Sequence, residues 1–106
     1  MNLDFTDIKV LLIGDFMIDD YIFGISNRVS PEAPVPVITP HQNYCVPGGA
    51  GNVAMNLSSL GAKVTCVGII GNDKWGEKLV SILNDKNIDT THLQKINNHI
   101  TTLKQR

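Results

Sequence analysis

Hydrophobic residues gather in two short runs along the chain, and each run ends in a glycine. The runs are Lys9–Gly14 and Lys63–Gly71. Apolar runs of this length without polar alternation predict strands that are buried on both faces. A helical pattern lies between them, and the order strand, long excursion, helix, strand predicts a parallel pair joined by a crossover.

The first helical pattern starts directly after a Pro-Gly-Gly sequence at residues 47–49. Val53, Leu57 and Leu60 fall on one face of the predicted helix, with alanines as small neighbours. Gly61 stands where a left-handed residue commonly ends a helix, so the helix is predicted to stop there.

A second helical pattern follows the second run, and Asn72 or Asp73 can cap its start. Its apolar positions keep helical spacing at Trp75, Leu79, Ile82 and Leu83. Ile88–Leu93 then predicts a short link. Ile100–Arg106 predicts the start of another strand, which the sequence leaves without a partner.

Prolines dominate the segment Ser26–Pro40, at positions 31, 34, 36 and 40. Because proline cannot serve a central strand, this segment is predicted to be an extended edge or a connection. It is too apolar for a flexible linker. It is predicted to lead into an edge strand, with residues 41–46 returning to the glycines, so that a small second layer of sheet would act as a lid.

Composition narrows the class of protein. The 106 residues carry nine basic and ten acidic side chains, for a formal net charge of -1. This balance gives no electrostatic attraction to nucleic acid or to an anionic membrane. No apolar run approaches the ~20 residues of a membrane helix, and the N-terminus lacks the pattern of a secretory signal. The chain is therefore predicted to be a soluble, cytoplasmic protein.

The cysteines and histidines do not form a recognisable metal-binding or catalytic motif in this sequence. Cys45 and Cys66 lack metal-ligand spacing and are predicted to be free thiols, with a disulfide between them as the alternative. His41, His92 and His99 stand in polar surroundings and are predicted to lie on the surface. No metal site is predicted.

The Gly-Gly pair before the first helix outlines a ligand site, because it lets a ligand approach the backbone closely. The sequence Gly-Gly-Ala-Gly-Asn at residues 48–52 matches neither the dinucleotide fingerprint nor the Walker motif. Three interpretations stay open. The helix start could bind an anion, the glycines could only permit close packing of helix on strand, or the Asn52 amide could bind the vicinal hydroxyls of a polyol.

Three carboxylates, Asp15, Asp19 and Asp20, follow the first predicted strand. Strand ends in α/β sheets face the ligand crevice, so a carboxylate there would complete a polyol site with the asparagine. The alternative is that all three are turn and cap residues.

A longer spaced pattern resembles a known family. The sequence Gly-Gly-Ala-Gly-Asn-Val-Ala at residues 48–54 is followed by six residues, Gly61, nine residues and Gly71. This pattern is similar to the N-terminal signature of the ribokinase-like (PfkB) sugar kinases. The resemblance implies an α/β protein, the N-terminal part of a ribokinase-like fold, with a parallel βαβ core and a small β-sheet lid.

Within that family the chain is most similar to the bacterial kinases of D-glycero-β-D-manno-heptose 7-phosphate. Those kinases commonly form the N-terminal half of a bifunctional kinase/adenylyltransferase that makes ADP-heptose for the lipopolysaccharide core. The similar stretches are residues 14–19, 28–37, 47–61 and 101–106. Two alternatives stay open: a ribokinase-like kinase for another small sugar or nucleoside, and a non-enzymatic assembly module.

The resemblance implies roles for particular residues of this chain. The candidate substrate-binding residues are Asp19, Gly48, Gly49, Asn52, Arg28, Lys104 and Arg106. The aspartate, the glycines and the asparagine match the family's sugar-contacting residues. The three basic residues are candidates for the 7-phosphate, since an arginine fork can bind two phosphate oxygens. The two at the end of the chain could instead only protect an exposed strand edge.

The family's second signature, which carries the catalytic aspartate and an anion hole, is absent from this sequence. Residues 1–106 are therefore predicted to be the sugar-binding half and the lid, truncated before the ATP site. The resemblance implies ATP and Mg²⁺ as cofactors of the parent enzyme, a sugar phosphate as its partner, and a homodimer formed through the lid. The chain alone is predicted to have no catalytic residue, no bound cofactor and no kinase activity.

Overall fold

A computed structural model describes residues 4–106, apart from the side chains of residues 27, 38, 39 and 41. The elements in this part of the chain are β1 (Lys9–Ile13), β2 (Phe16–Val29), β3 (Pro36–Gly49), α1 (Ala50–Ser59), β4 (Lys63–Gly71), α2 (Lys74–Asp85), β5 (Asp89–Ile96) and β6 (Thr102–Gln105). The strands form two sheets, with the orders β1-β4-β5 and β3-β2-β6.

The first sheet, β1-β4-β5, is parallel throughout. β1 pairs with β4 from Lys9 opposite Lys63 onward, and β4 pairs with β5 on its other side. The predicted parallel pair with a helical crossover is therefore confirmed. The two crossovers run in the same direction across the sheet, so right-handed connections place α1 and α2 on the same face.

The prediction that β1 is buried on both faces is wrong. Val10 and Leu12 pack against the core, but Leu11 is 62% exposed and Ile13 is 70% exposed. Both helices cover one face of the sheet, so the other face is open to solvent within residues 4–106. Ile69 of β4 is exposed on this uncovered face as well.

The hydrophobic core lies between the first sheet and the two helices, and it extends to the base of the second sheet. Its largest fully buried side chains are Ile18, Cys66, Ile70, Leu79, Leu83 and Thr101. Both cysteines are free thiols, as predicted. Burial, assisted by the nearby Asp89 charge, raises the pKa of the Cys66 thiol to about 11. Cys66 therefore serves as a small apolar core residue.

Helix α1 buries its small residues completely, and its larger residues Met55 and Leu57 pack against the core only in part. Gly51 and Ala54 are buried, whereas Val53 and Leu60 are exposed. Small residues let the helix lie close to the strands beneath it. The predicted end of the helix is confirmed, because Gly61 adopts a left-handed φ of 99° directly after the C-cap.

Helix α2 is capped and buried as its sequence predicts. Asp73 is the N-cap and accepts a hydrogen bond from the Gly76 N–H at 2.8 Å. Leu79 and Leu83 are fully buried, and Trp75 packs at the edge of the core. Neither helix in the described part of the chain is long and apolar enough to cross a membrane.

β2 and β3 form a long antiparallel hairpin of 14 residues per strand. Phe16 lies opposite Gly49 at its base, and Val29 lies opposite Pro36 at its tip. β3 is the edge strand of the second sheet, and an edge is where a strand tolerates proline. This second sheet is the predicted lid layer and is called the lid sheet below.

Two predictions for the last part of the chain are wrong. β5 replaces the predicted short link, and among its side chains only Leu93 is buried, so no apolar run marks the strand in the sequence. β6 is not without a partner, since it pairs in parallel with β2 from Met17 opposite Thr102 onward. The two strands lie about 85 residues apart in sequence, and a local pattern cannot reveal such a pairing.

Candidate functional site

Asp19 lies on β2 with its carboxylate against the backbone of β3. A Cβ atom added at Gly48 would lie 2.8 Å from the Cγ and Oδ1 atoms of Asp19, so only glycine leaves room for the carboxylate. The Oδ1 atom is buried, and no donor from the described residues reaches it. A buried acceptor without a partner costs about 1–3 kcal/mol, so this oxygen is suited to accept a hydrogen bond from a ligand.

Gly49 turns the chain from β3 into α1. Its φ is 57°, and a Cβ atom there would lie 2.8 Å from Cε of Met17 and still closer to the carbonyl oxygen of Asp15. That carbonyl accepts a hydrogen bond from the Ala50 N–H at 2.8 Å. Both the positive φ and the crowding require glycine, so close packing explains this glycine whether or not a ligand binds.

The start of α1 offers donors as well as an exposed amide. No side chain caps the helix, so N–H groups of its first turn are available to a ligand. Asn52 is exposed in that turn, and its amide can both donate and accept. Asp19 lies against Gly48, and Gly49 and Asn52 follow at the junction of the lid hairpin with α1. These four residues are called the glycine corner below.

Lys104 and Arg106 extend the site along the lid sheet. Lys104 lies opposite Asp19 in the parallel register of β2 and β6, and opposite residues of neighbouring strands share a face. Arg106 directly follows the end of β6 and is fixed by main-chain hydrogen bonds of 2.9 Å with Asp20 and Ile22. Both basic side chains are exposed. The structure thus brings two candidate phosphate-binding residues to the side of Asp19.

Arg28 is not brought to the glycine corner. It lies near the tip of the lid hairpin, opposite Val37. At ~3.3 Å per residue, Arg28 lies about 30 Å from Asp19 along β2. It is exposed there, so within this one chain it does not face the same ligand as Asp19.

A crevice opens at the carboxyl ends of β1 and β4, where ligands bind in open α/β sheets. Its volume is about 200 Å³, and its walls are Gly14, Asp15, Phe16, Met17, Ile69, His99 and Thr102. His99 was predicted only as a surface residue, and its side chain is exposed, but it also lines this crevice. No sequence signal marks His99, because the crevice walls come from three separate segments of the chain. The side chain of His41 lies outside the described residues.

A larger cavity of about 310 Å³ lies elsewhere on the lid sheet, lined by Ile22, Pro40, Gln105 and Arg106. Of the candidate residues only Arg106 borders it. The cavity has neither a carboxylate nor a helix start in its walls. Its greater volume therefore does not make it the better candidate for a polyol.

Asp20, the neighbour of Asp19, holds the lid sheet together. It is 2% exposed and points to the opposite face of the sheet. Its carboxylate accepts from Sγ of Cys45 at 3.3 Å, Nε2 of Gln105 at 3.4 Å and Nδ2 of Asn43 at 3.5 Å. Burial, together with the hydrogen bond and charge of Asp20, raises the pKa of the Cys45 thiol. Asp20 therefore links β2 to β3 and β6 by hydrogen bonds and is not a turn or cap residue.

Comparison with known proteins identifies the family of this chain. Residues 7–106 match the pfkB family of carbohydrate kinases. The chain is 42% identical over 98 residues to the bifunctional protein HldE of Coxiella burnetii and 46% identical over 102 residues to that of Actinobacillus pleuropneumoniae. The alignments cover 92% and 96% of this chain but only 20% and 21% of the relatives. The chain spans about a fifth of their length.

Solved structures share the fold. A carbohydrate kinase from Agrobacterium tumefaciens superposes with a TM-score of 0.72 and 25% identity, over 92% of this chain and 30% of that one. Fructokinase from Xylella fastidiosa gives a TM-score of 0.69 at 22% identity, over 92% of this chain and 27% of the other. The fold is therefore the N-terminal part of a ribokinase-like fold, and the chain belongs to the pfkB family of carbohydrate kinases.

Proposed function

We propose that this chain is the sugar-binding N-terminal portion of a kinase that phosphorylates the anomeric hydroxyl of D-glycero-β-D-manno-heptose 7-phosphate with ATP. The observation that carries the proposal is the buried Oδ1 atom of Asp19, which lies against Gly48 without a donor from the described residues. This acceptor stands beside a helix start with free donors and an exposed amide. Acceptors and donors placed together in this way are suited to the vicinal hydroxyls of a sugar.

Charge and similarity support a phosphorylated heptose over a neutral sugar. Lys104 lies opposite Asp19, and Arg106 follows it, so a cationic edge borders the proposed sugar site. A dianionic phosphate favours such an edge. The relatives at 42–46% identity are bifunctional HldE proteins, which supports a parent protein with an adenylyltransferase activity in ADP-heptose and lipopolysaccharide synthesis. Arg28 is kept in the proposal as a phosphate contact supplied by the lid of a second copy.

ATP and Mg²⁺ do not fit the described residues. Among residues 4–106 no three His, Cys, Asp or Glu side chains stand close enough to hold a metal ion. The glycine corner also lacks the spacing of a phosphate-binding loop. The chain's own residues would bind and orient the sugar, and phosphoryl transfer would require a base and anion-binding donors from another part of the protein. We therefore expect the 106-residue chain alone to be inactive.

We also propose that the parent protein is cytoplasmic and forms a homodimer, and the lid sheet supports the dimer. Tyr21 and Tyr44 stack with ring centroids 5.1 Å apart, and Phe23 stacks on Tyr44 at 5.6 Å. Tyr44 and Phe23 remain about half exposed. Exposed aromatic rings on one sheet face favour contact with another protein surface. Sedimentation of the full-length protein as a monomer would contradict a dimer through the lid.

The sugar site is tested with Asp19→Asn in the full-length kinase. Losing a charged hydrogen-bond acceptor is expected to lower kcat/KM for the heptose phosphate by about ten- to a hundredfold. Asp85→Asn is the matched control, because Asp85 is an exposed carboxylate at the far end of α2. Unchanged kinetics in Asp19→Asn would remove this residue from the site.

The substrate is tested separately on the unaltered full-length protein. If the protein turned over ribose or fructose in preference to the heptose phosphate, it would still be a sugar kinase, but the heptose assignment would be refuted. A protein that self-associates through the lid, turns over no sugar and shows no sugar-dependent thermal shift would instead be an assembly module.

A further inference from the structure

Polar groups meet in a buried cluster where β4 ends, α2 begins and β6 is about to start. The Thr101 hydroxyl donates to Oδ1 of Asp73 at 2.7 Å and accepts from the Gly71 N–H at 2.8 Å. The Thr101 N–H donates to Oδ2 of Asp73 at 2.9 Å. Asp73 also accepts from the Gly76 N–H, so one carboxylate joins the helix start to the segment before β6.

This cluster is closely packed. Thr101 is 2% exposed although its side chain is polar. A Cβ atom at Gly71 would lie within 3.0 Å of Oδ2 of Asp73 and of the His99 carbonyl oxygen, and one at Gly76 would lie 3.0 Å from Oγ1 of Thr101. Contacts this short leave no space for a side chain, so the two glycines let the carboxylate and the hydroxyl approach the backbone.

The residue held by the cluster directly precedes β6. That strand has four residues, and within residues 4–106 it pairs with β2 alone. The pairing puts Thr102 opposite Met17 and Lys104 opposite Asp19. A slip of one residue would turn every β6 side chain to the other face of the lid sheet. So short a strand has few hydrogen bonds of its own with which to prevent such a slip.

We propose that the Asp73–Thr101 pair is a latch that fixes the register of β6 and thereby positions Lys104 beside Asp19 in the substrate site. The positioning role rests on the proposed function, whereas the fixed register does not. The latch joins the helix-covered parallel sheet to the lid sheet, so it also holds the His99 and Thr102 wall of the crevice in place. Asp73 and Thr101 are positioning residues, because neither lines the glycine corner or the crevice.

The pair is tested with Thr101→Val in the full-length protein, since valine keeps the shape and removes the hydroxyl. Hydrogen exchange reports the native pairing of β6, because the Arg106 N–H donates to the Asp20 carbonyl only while β6 is paired. The exchange rate at residues 102–106 is expected to rise at least tenfold. KM for the sugar phosphate is expected to rise about tenfold, equivalent to about 1.4 kcal/mol, with kcat changed by less than about threefold.

Two further variants make the result specific. Thr101→Ser retains the hydroxyl and is expected to restore both the slow exchange and the KM. Thr90→Val is the matched control, because the Thr90 hydroxyl also donates to a side chain, Oδ1 of Asn84 at 2.8 Å, but at the edge of the other sheet. If Thr101→Val does not fold, Asp73→Asn carries the same measurements.

The outcomes separate the latch from the proposed function. Unchanged exchange at residues 102–106 in Thr101→Val would overturn the latch, whatever the enzyme does. Faster exchange with an unchanged KM, or with kcat lowered and KM unchanged, would overturn the positioning of Lys104. If the unaltered protein turns over no sugar phosphate, the proposed function fails, and the exchange data still decide whether the pair fixes β6.

Discussion

Two adjacent carboxylates on β2 have opposite tasks because a strand alternates its side chains between faces. Asp19 faces the glycine corner, and its buried oxygen has no donor among the described residues. Asp20 faces the other way and accepts from donors on both neighbouring strands. The unsatisfied carboxylate is the one suited to bind a ligand, while the satisfied one stabilises the lid sheet that carries it.

Gly48→Ala is expected to impair substrate binding more than it impairs folding. The new methyl group would lie 2.8 Å from Cγ of Asp19, so the carboxylate must rotate away from its position. KM for the sugar phosphate should rise by about tenfold or more, as expected for a misplaced charged hydrogen bond. Steady-state kinetics and thermal unfolding of the full-length protein measure the two effects.

Gly51→Ala is the matched control for this change. Its methyl group would lie 2.8 Å from Cβ of Pro47 and would not touch Asp19. It is expected to lower Tm while leaving KM unchanged. Equal changes of KM in the two variants would contradict a specific role for Gly48.

Asp73 gives the fold a predictable dependence on pH. Burial opposes ionisation of this carboxyl, but hydrogen bonds from Thr101 and Gly76 outweigh it and place its pKa below the ordinary value. The folded pKa is therefore lower than the unfolded one, so the stabilisation is complete above the unfolded pKa of about 3.9 and is lost as pH falls through the folded pKa.

Denaturant unfolding of the unaltered protein and of Asp73→Asn, from about pH 6 to about pH 2.5, measures this contribution. The difference in unfolding free energy between them should be largest near neutral pH and should shrink below about pH 4. A difference that stays constant across this range would show that the Asp73 charge does not contribute to stability.

At the scale of elements, the sequence predicts those features that local contacts determine. The Asp73 cap and the buried Leu79 and Leu83 of α2 were predictable, because the cap and the apolar stripe belong to the helix itself. The inward face of α1 was predictable only in part, because Leu57 packs against the core as predicted, whereas the buried face also includes Gly51 and Ala54, where strands lie close beneath the helix.

Pairings between distant segments were the least predictable. β5 carries a single buried residue, Leu93, and β6 finds its partner at the other end of the chain. The same limit applies to the site. Asp19 and the glycines could be named as candidates from the family pattern, but His99 and Thr102 enter the crevice only once β2, β4 and β6 have come together.

Leu79→Ala in α2 is expected to lower the free energy of unfolding by about 2–5 kcal/mol. Leu79 is fully buried at the centre of the core, so its truncation removes apolar contacts and leaves a cavity. Val53→Ala is the control on the other helix, because Val53 is 45% exposed. Val53→Ala should lower the free energy of unfolding by no more than about 0.5 kcal/mol. Denaturant unfolding measures this free energy for both variants. Similar losses of unfolding free energy in the two variants would contradict the contrast between a buried Leu79 and an exposed Val53.

The whole molecule is more open than a compact domain of this length. Its radius of gyration is 17.1 Å, compared with about 13 Å for a compact domain of about 100 residues. The lid hairpin projects from one end, and the molecule is only 19 Å thick along its shortest axis. Parallel sheets in stable proteins have both faces covered, whereas the described residues cover one face of β1-β4-β5.

The uncovered face has a measurable consequence for the 106-residue chain in isolation. Leu11 and Ile13 are the most exposed large apolar side chains of the parallel sheet, so the chain should bind an apolar fluorescent dye such as ANS while it remains folded. Replacing both residues with threonine retains a side chain compatible with a strand and removes much of the apolar surface. Dye fluorescence should fall by about half or more, with Tm lowered by no more than a few degrees.

Ile70→Thr is the contrasting change on the same sheet, because Ile70 is fully buried on the helix-covered face. Burying a hydroxyl without a partner costs about 1–3 kcal/mol, so this variant should have a lower Tm. It should also bind more dye, because the core becomes less well packed. If Leu11→Thr/Ile13→Thr left the dye signal unchanged, the bound dye would have to lie elsewhere, and the stacked rings of the lid sheet would be the next surface to alter. If the double variant Leu11→Thr/Ile13→Thr lowered Tm as much as Ile70→Thr does, both faces of the sheet would be packed in solution.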